Sequence, residues 1–225
     1  MEVTPAINCL DFECVKQKIN LAQNFLPANG WIHIDVTDAR FTFNKTWGNP
    51  EEFKALQATA GGLHFEIHLM VEEPEKVIDQ WLEAGARRVI VHFEAITQNV
   101  KTLSDYHSTI DTIIESCKKY NAKVMLAINP ETPIDDMMPY AKKFSCFLML
   151  AVHPGLAGQN FLPAVLAKIK SLREKLPDAK IEVDGGITLE TARAAKDAGA
   201  DIVVSASYIL GSGNPKAAYD SLSTL

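Results

Sequence analysis

Two histidines and two aspartates supply the most concentrated chemistry in this sequence. His33 and Asp35 stand two apart in Trp31-Ile32-His33-Ile34-Asp35-Val36-Thr37-Asp38. His68 lies in Phe65-Glu66-Ile67-His68-Leu69-Met70-Val71, and Asp184 opens Asp184-Gly185-Gly186-Ile187. Each sits towards the C-terminal end of a short apolar run. Residues two apart in an extended chain point to the same side, so His33 and Asp35 share a face. A mixed set of imidazoles and carboxylates suits a divalent first-row ion such as zinc, manganese, iron or cobalt. A single strand-end histidine or aspartate is more often structural; four on appropriate strands form a set.

A second group of residues suits an anion. Gly185 and Gly186 lead from an apolar run into a helical segment. Glycines let backbone amides approach a ligand closely, and a helix N-terminus favours negative charge. Ala206 and Ser207 follow the last apolar run and offer further amides and a hydroxyl. Taken singly, both segments also read as ordinary tight turns. The segment His153-Pro154-Gly155-Leu156-Ala157-Gly158-Gln159-Asn160-Phe161 has glycines suited to a loop that covers a ligand, or to a plain connector.

The elements that must position these residues follow from repetition. Eight strands are expected: Val3–Asn8, Trp31–Val36, Leu63–Val71, Arg88–Phe93, Lys123–Ile128, Phe147–Val152, Lys180–Val183 and Asp201–Ser205. They are apolar on successive positions, as strands buried on both faces should be. Amphipathic segments separate them. In Pro163–Leu176, Val165, Leu166, Ile169, Leu172 and Leu176 recur at helical spacing. Pro74 and Pro215 stand where a helix tolerates proline, in the first turn. Glu83-Ala84-Gly85-Ala86 parallels Asp197-Ala198-Gly199-Ala200, and in each a helix is expected to end at a glycine cap before the next strand.

This alternation predicts a parallel sheet with right-handed crossovers. Eight units in 225 residues predict a single (β/α)₈ TIM barrel as one domain over 1–225. A doubly wound sheet is the alternative, but the glycine fingerprint it would usually carry after its first strand is absent from Asn8-Cys9-Leu10-Asp11. In barrels the loops after strands seven and eight frequently hold a phosphate, which gives the glycine turns their meaning.

Composition narrows the function. Hydrophobic residues make up 47% and charged residues 22%, with a net charge of -6. Nucleic acid and membrane are therefore not expected as partners, because phosphate-rich surfaces need clustered Lys and Arg. An anionic small molecule would need a local device to hold it. Met1–Pro5 lacks the basic and apolar regions of a signal peptide, and no apolar run approaches a membrane span. Cys9, Cys14, Cys117 and Cys146 form no Cys-x-x-Cys pair, so free thiols and a cytoplasmic location are expected.

Taken together, the motifs resemble those of the ribulose-phosphate 3-epimerase family. They are His33-Ile34-Asp35-Val36-Thr37-Asp38, His68-Leu69-Met70-Val71-Glu72-Glu73-Pro74, His92-Phe93-Glu94-Ala95, Asn129-Pro130-Glu131-Thr132-Pro133, Pro154-Gly155-Leu156-Ala157-Gly158-Gln159 and Val183-Asp184-Gly185-Gly186-Ile187. They occur in the family's order over nearly the whole chain. The resemblance implies a barrel of the ribulose-phosphate-binding type. It implies one divalent metal on His33, Asp35, His68 and Asp184, with Asp35 and Asp184 as an acid–base pair acting on opposite faces of a sugar C3. It implies substrate contacts from His68, Met70, Gly155, Leu156, Ala157, Gly158, Gly185, Gly186, Ala206 and Ser207. A homo-oligomer and D-ribulose 5-phosphate as substrate are implied as well.

The chain departs from the family pattern at Ala6, Thr37, Leu150, Ala157 and Ala206. The intact ligand set with an altered surround keeps two alternatives open: epimerisation of D-allulose 6-phosphate, and a sugar-phosphate-binding barrel without catalysis. The related decarboxylase and hexulose-phosphate synthase branch uses an Asp-x-Lys-x-x-Asp cluster, and Asp35-Val36-Thr37-Asp38 lacks the lysine. His92 fits equally a buried supporting position and a substrate contact.

Overall fold

A computed structural model describes residues 1–98 and 103–225, with the side chains of 103–105 left aside. Eight strands close into a barrel in chain order: β1 (Glu2–Ile7), β2 (Trp31–Thr37), β3 (His64–Met70), β4 (Arg88–His92), β5 (Lys123–Ile128), β6 (Cys146–Leu150), β7 (Lys180–Asp184) and β8 (Ile202–Ser205). Every pairing is parallel, including β1 with β8, so the sheet has no free edge. The expected TIM barrel is the observed fold, with strand limits shifted by only one or two residues.

The continuous apolar runs have a structural reason. One face of each strand packs outward against the helices, where Phe65, Ile67 and Leu69 meet helix residues such as Ile19, Phe53 and Ile78. The other face fills the barrel interior. That interior is divided. Ile90, Met125, Ala127, Cys146, Leu148 and Leu150 make an apolar half from β4, β5 and β6. The opposite half, from β2, β3 and β7, carries His33, Asp35, Glu66, His68 and Glu182, all buried. Each fully buried aliphatic or aromatic side chain contributes about 1.5–3 kcal/mol, and this packing holds the polar half in place.

Helices begin and end as the local sequence directs. Pro74 and Pro215 occupy the first turns of helices Pro74–Glu83 and Pro215–Ser223. Thr188 and Thr191 form a capping box at the start of Leu189–Ala198. Gly85 and Gly199 take positive φ at the two matched helix ends, as expected.

The cysteine expectation is corrected at two positions. Cys9 and Cys14 are joined in a disulfide, while Cys117 and Cys146 are free and buried. The Asp11 side chain accepts from the Cys14 amide and caps helix Phe12–Gln23. That turn brings the two Cα atoms to 5.9 Å, within bridging range. Cysteine usage therefore lends no support to a reducing compartment. Among the described residues no helix is long and apolar enough to cross a membrane.

Candidate active site at the barrel mouth

The register of the sheet assembles the site. β2 and β3 run in step, so His33 pairs with Glu66 and Asp35 with His68. On the other side, β7 brings Asp184 level with Leu150 of β6. His33 Nε2 and His68 Nδ1 stand 3.2 Å apart. They lie 3.1 and 3.2 Å from Oδ1 of Asp35. Asp184 Oδ2 is 4.0 Å from His68 Nδ1. One donor atom from each of the four residues lies within 4.8 Å of every other. Two imidazole nitrogens and two carboxylate oxygens this close form a donor set that fits a divalent first-row ion.

The protonation of the four is uneven. Burial would lower His33, but hydrogen bonds to Asp35 and Glu66 reverse this and raise it well above the usual imidazole range. Burial lowers His68 to about 4, with the charges of His92 and His33 adding to the effect against the pull of Asp35. His68 is thus a neutral nitrogen donor at pH 7. Burial would raise Asp35, yet His33 and His68 hold it below the ordinary carboxylate value. Burial, with Asp35 and Glu66 nearby, pushes Asp184 up to about 7.

A cleft opens above these residues. Asp35, Asp184, Met70, Ala6 and Leu150 line its inner part. Gly155, Leu156, Ala157, Gly158, Gly185, Gly186, Ala206 and Ser207 line its outer part. Of the residues expected to meet a substrate, only His68 does not line the cleft; it is fully buried beside Asp35. The glycine pair is required by the backbone. Gly186 has φ +63, and a Cβ there would stand 2.3 Å from the backbone nitrogen of Phe161. A Cβ on Gly185, at φ +108, would stand 2.4 Å from Val152. Chain after β7 therefore lies flush against the covering loop.

Asn8, Asn44 and Thr46 were invisible in the sequence as neighbours of the site. The Asn8 amide donates to Asp35 Oδ2 at 3.0 Å and to the Gly155 carbonyl at 3.2 Å. Asn44 donates to the same carbonyl at 3.0 Å. Thr46 donates to the Asp35 carbonyl at 2.8 Å. His92 supports His68 from behind, with the two Nε2 atoms 2.9 Å apart, and its Nδ1 is 3.3 Å from Glu94. This places it as a buried support, away from the cleft lining. Below the site Glu66, Arg88 and Glu182 form a buried layer of ionisable side chains. Strand alternation was the available signal, since Glu66 and Glu182 each stand two before a site residue.

A (β/α)₈ barrel with a His/Asp cluster at the C-terminal strand ends is the architecture of a barrel enzyme. The model of the ribulose-phosphate 3 epimerase family matches residues 2–210. The ribulose-phosphate 3-epimerase of Schizosaccharomyces pombe is 33% identical over 217 residues, covering 96% of this chain and 89% of that protein. The enzyme of the same name from Chlamydia muridarum is 35% identical over 213 residues, covering 92% and 86%. The chain belongs to the ribulose-phosphate 3-epimerase family, a family of carbohydrate isomerases. Among solved structures, a 3-hexulose-6-phosphate synthase superposes with a TM-score of 0.71 at 17% identity, covering 100% of this chain and 99% of that one. The 3-hexulose-6-phosphate synthase of Salmonella typhimurium gives 0.69 at 16% identity, with 100% and 97% covered. Those likenesses concern the fold.

Proposed function

We propose that this chain is a metal-dependent ketose-phosphate 3-epimerase that interconverts D-ribulose 5-phosphate and D-xylulose 5-phosphate. The observation that carries the reading is the convergence of His33, Asp35, His68 and Asp184 at one mouth, with both aspartates also facing the cleft. His33, Asp35, His68 and Asp184 would hold the ion. When bound, a divalent ion supplies Lewis-acid stabilisation of the negative charge that develops at the substrate's C2 oxygen.

The chain's own groups account for the proton transfers. A C3 hydrogen beside a ketone is weakly acidic, and its removal gives an enediolate. Inversion needs a base on one face of C3 and an acid on the other. Asp35 is held ionised and takes the proton. Asp184 stands across the mouth from Asp35, and once it has taken a proton it delivers one to the opposite face. In the reverse direction the roles exchange. Asn8 holds the second oxygen of Asp35 in place. Backbone amides at Gly185, Gly186, Ala206 and Ser207 would anchor the distal phosphate and so fix C3 between the two carboxyl groups. Met70 and the Gly155–Gly158 segment would close over the sugar and exclude water. The acidic net charge is compatible with an anionic substrate because these amides are local.

Allulose 6-phosphate is the second substrate to weigh, because Ala6, Leu150, Ala157 and Ala206 all line the cleft. Incubation in D₂O with each sugar phosphate separately, followed by proton NMR at C3, tests the reading. Rapid loss of the ribulose 5-phosphate C3 signal is expected. Exchange confined to allulose 6-phosphate would move the assignment to that sugar, and exchange with neither would leave a non-catalytic binding barrel. We further propose a homo-oligomer acting in the cytoplasm, to be checked by light scattering and by cell fractionation.

A further inference from the structure

The buried layer of ionisable side chains beneath the site has no part in the proton transfers above, yet His33, Glu66 and Arg88 form a connected chain within it. Glu66 Oε1 lies 2.7 Å from His33 Nδ1. Arg88 Nε donates to Glu66 Oε2 at 2.6 Å. A second Arg88 nitrogen pairs with the same oxygen and lies 3.5 Å from Glu182 Oε2. The Arg88 guanidinium stacks 4.3 Å from the centre of the Trp31 ring, and Glu2 reaches it at 4.0 Å. Glu66 and Glu182 have no solvent exposure, and Arg88 has 4%.

Burying three ionisable side chains is costly and adds little net stability, since apolar residues of the same size usually do as well. The geometry indicates what the arrangement achieves. A carboxylate only accepts, so Glu66 requires a proton on His33 Nδ1. Nε2, on the opposite side of the ring, is the nitrogen that faces Asp35 and His68. Fixing the proton on Nδ1 reserves Nε2 for a metal, and the carboxylate makes the ring a better donor. Glu66 could rotate away if its second oxygen were unheld. Arg88 holds that oxygen, and the Arg88 guanidinium is itself stacked on Trp31.

We propose that Glu66 is a positioning residue that sets the orientation and tautomer of His33 for metal ligation, and that Arg88 locks Glu66 in that role. The proposal rests on the reading of His33 as a ligand. It extends that site downward by a layer of residues that never touch substrate.

The test uses zinc and two readouts. Zinc affinity is measured by chelator competition on the full chain, and the protonated nitrogen of His33 is identified by ¹⁵N NMR of the zinc-loaded protein. Wild type should carry its proton on Nδ1. Glu66→Gln should weaken zinc binding by about 10–100-fold, the usual effect of removing such a partner, and should perturb the His33 nitrogen shifts. Because Glu66→Gln leaves a buried guanidinium with less charge around it, Glu66→Gln/Arg88→Met is made in parallel. It removes both charges together and should show the same loss of affinity in a well-folded protein. Arg88→Met alone should weaken zinc in the same direction. A purely structural layer would lower the melting temperature of these variants and leave zinc affinity and the His33 shifts at wild-type values. That result, or a wild-type His33 with no proton on Nδ1, would overturn the proposal. A wild type with no zinc affinity would overturn both the proposal and the metal reading beneath it. Equal binding by wild type and variants overturns the proposal alone.

Discussion

The Asn8 side-chain amide bridges Asp35 and the covering loop, donating at 3.0 Å to Asp35 Oδ2 and at 3.2 Å to the carbonyl of Gly155. One residue at the end of β1 thus couples the carboxylate on β2 to the segment that lines the outer cleft. Asn8→Ala should remove a hydrogen bond to a charged group, worth about 1.5–3 kcal/mol. We expect kcat to fall by roughly 10–100-fold, with KM rising as the loop loses an anchor. Steady-state kinetics that show an unchanged kcat would dissociate Asn8 from the positioning of Asp35.

Metal affinity should depend on pH through Asp184. Its folded-state value of about 7 lies above its ordinary value of 3.8. The proton-bound form therefore stabilises the metal-free fold fully below about pH 4, and that contribution is lost as pH rises through 7. A metal needs the ionised carboxylate, so affinity should strengthen across the same interval, by about tenfold per pH unit for one released proton. His33, held protonated by Asp35 and Glu66, acts in the same direction. Chelator competition at pH 5, 6, 7 and 8 checks this, and a flat profile would contradict it.

Gly186→Ala should damage the proposed phosphate side without touching the His/Asp cluster. At φ +63, with Phe161 backbone 2.3 Å from the added carbon, the loop must shift. A cost of about 1–3 kcal/mol in stability is expected from strain of this kind. Kinetics should show a raised KM, while zinc stoichiometry stays at wild type. Loss of zinc in a folded Gly186→Ala protein would mean that the two halves of the site are not separable.

The disulfide gives an independent check on the chain around β1. Joining Cys9 to Cys14 closes a short loop, for which chain entropy gives about 2 kcal/mol. The double Cys9→Ser/Cys14→Ser variant should unfold at correspondingly lower denaturant, and reductant should shift only the wild type. Identical midpoints would show that the bridge adds no stability.

The sequence made the barrel legible because its strands are largely apolar on successive positions and several helices carry their own punctuation, such as Pro74, Pro215, Gly85 and Gly199. His33, Asp35, His68 and Asp184 were legible for a similar reason, since they interrupt apolar runs at strand ends. Glu66, Arg88 and Glu182 were not. They lie deeper in the barrel, where a charge looks like an interruption of a strand until the register sets it against its partners. Asn8 and Asn44 depend on loop geometry that local spacing does not encode. The Cys9–Cys14 bridge depends on the turn capped by Asp11, and five residues of separation said nothing of that turn. His92 could be resolved only once β3 and β4 were seen side by side.

The account stands on transfer of the C3 proton by two separate carboxyl groups. If Asp35 removes it and Asp184 delivers another from the opposite side, the hydrogen on the product comes from solvent. Ribulose 5-phosphate turned over by the zinc-loaded protein in D₂O should therefore give xylulose 5-phosphate with deuterium at C3 from the first turnover, read by NMR or mass spectrometry. Xylulose 5-phosphate that retains the substrate's own hydrogen at C3 would contradict the two-aspartate mechanism.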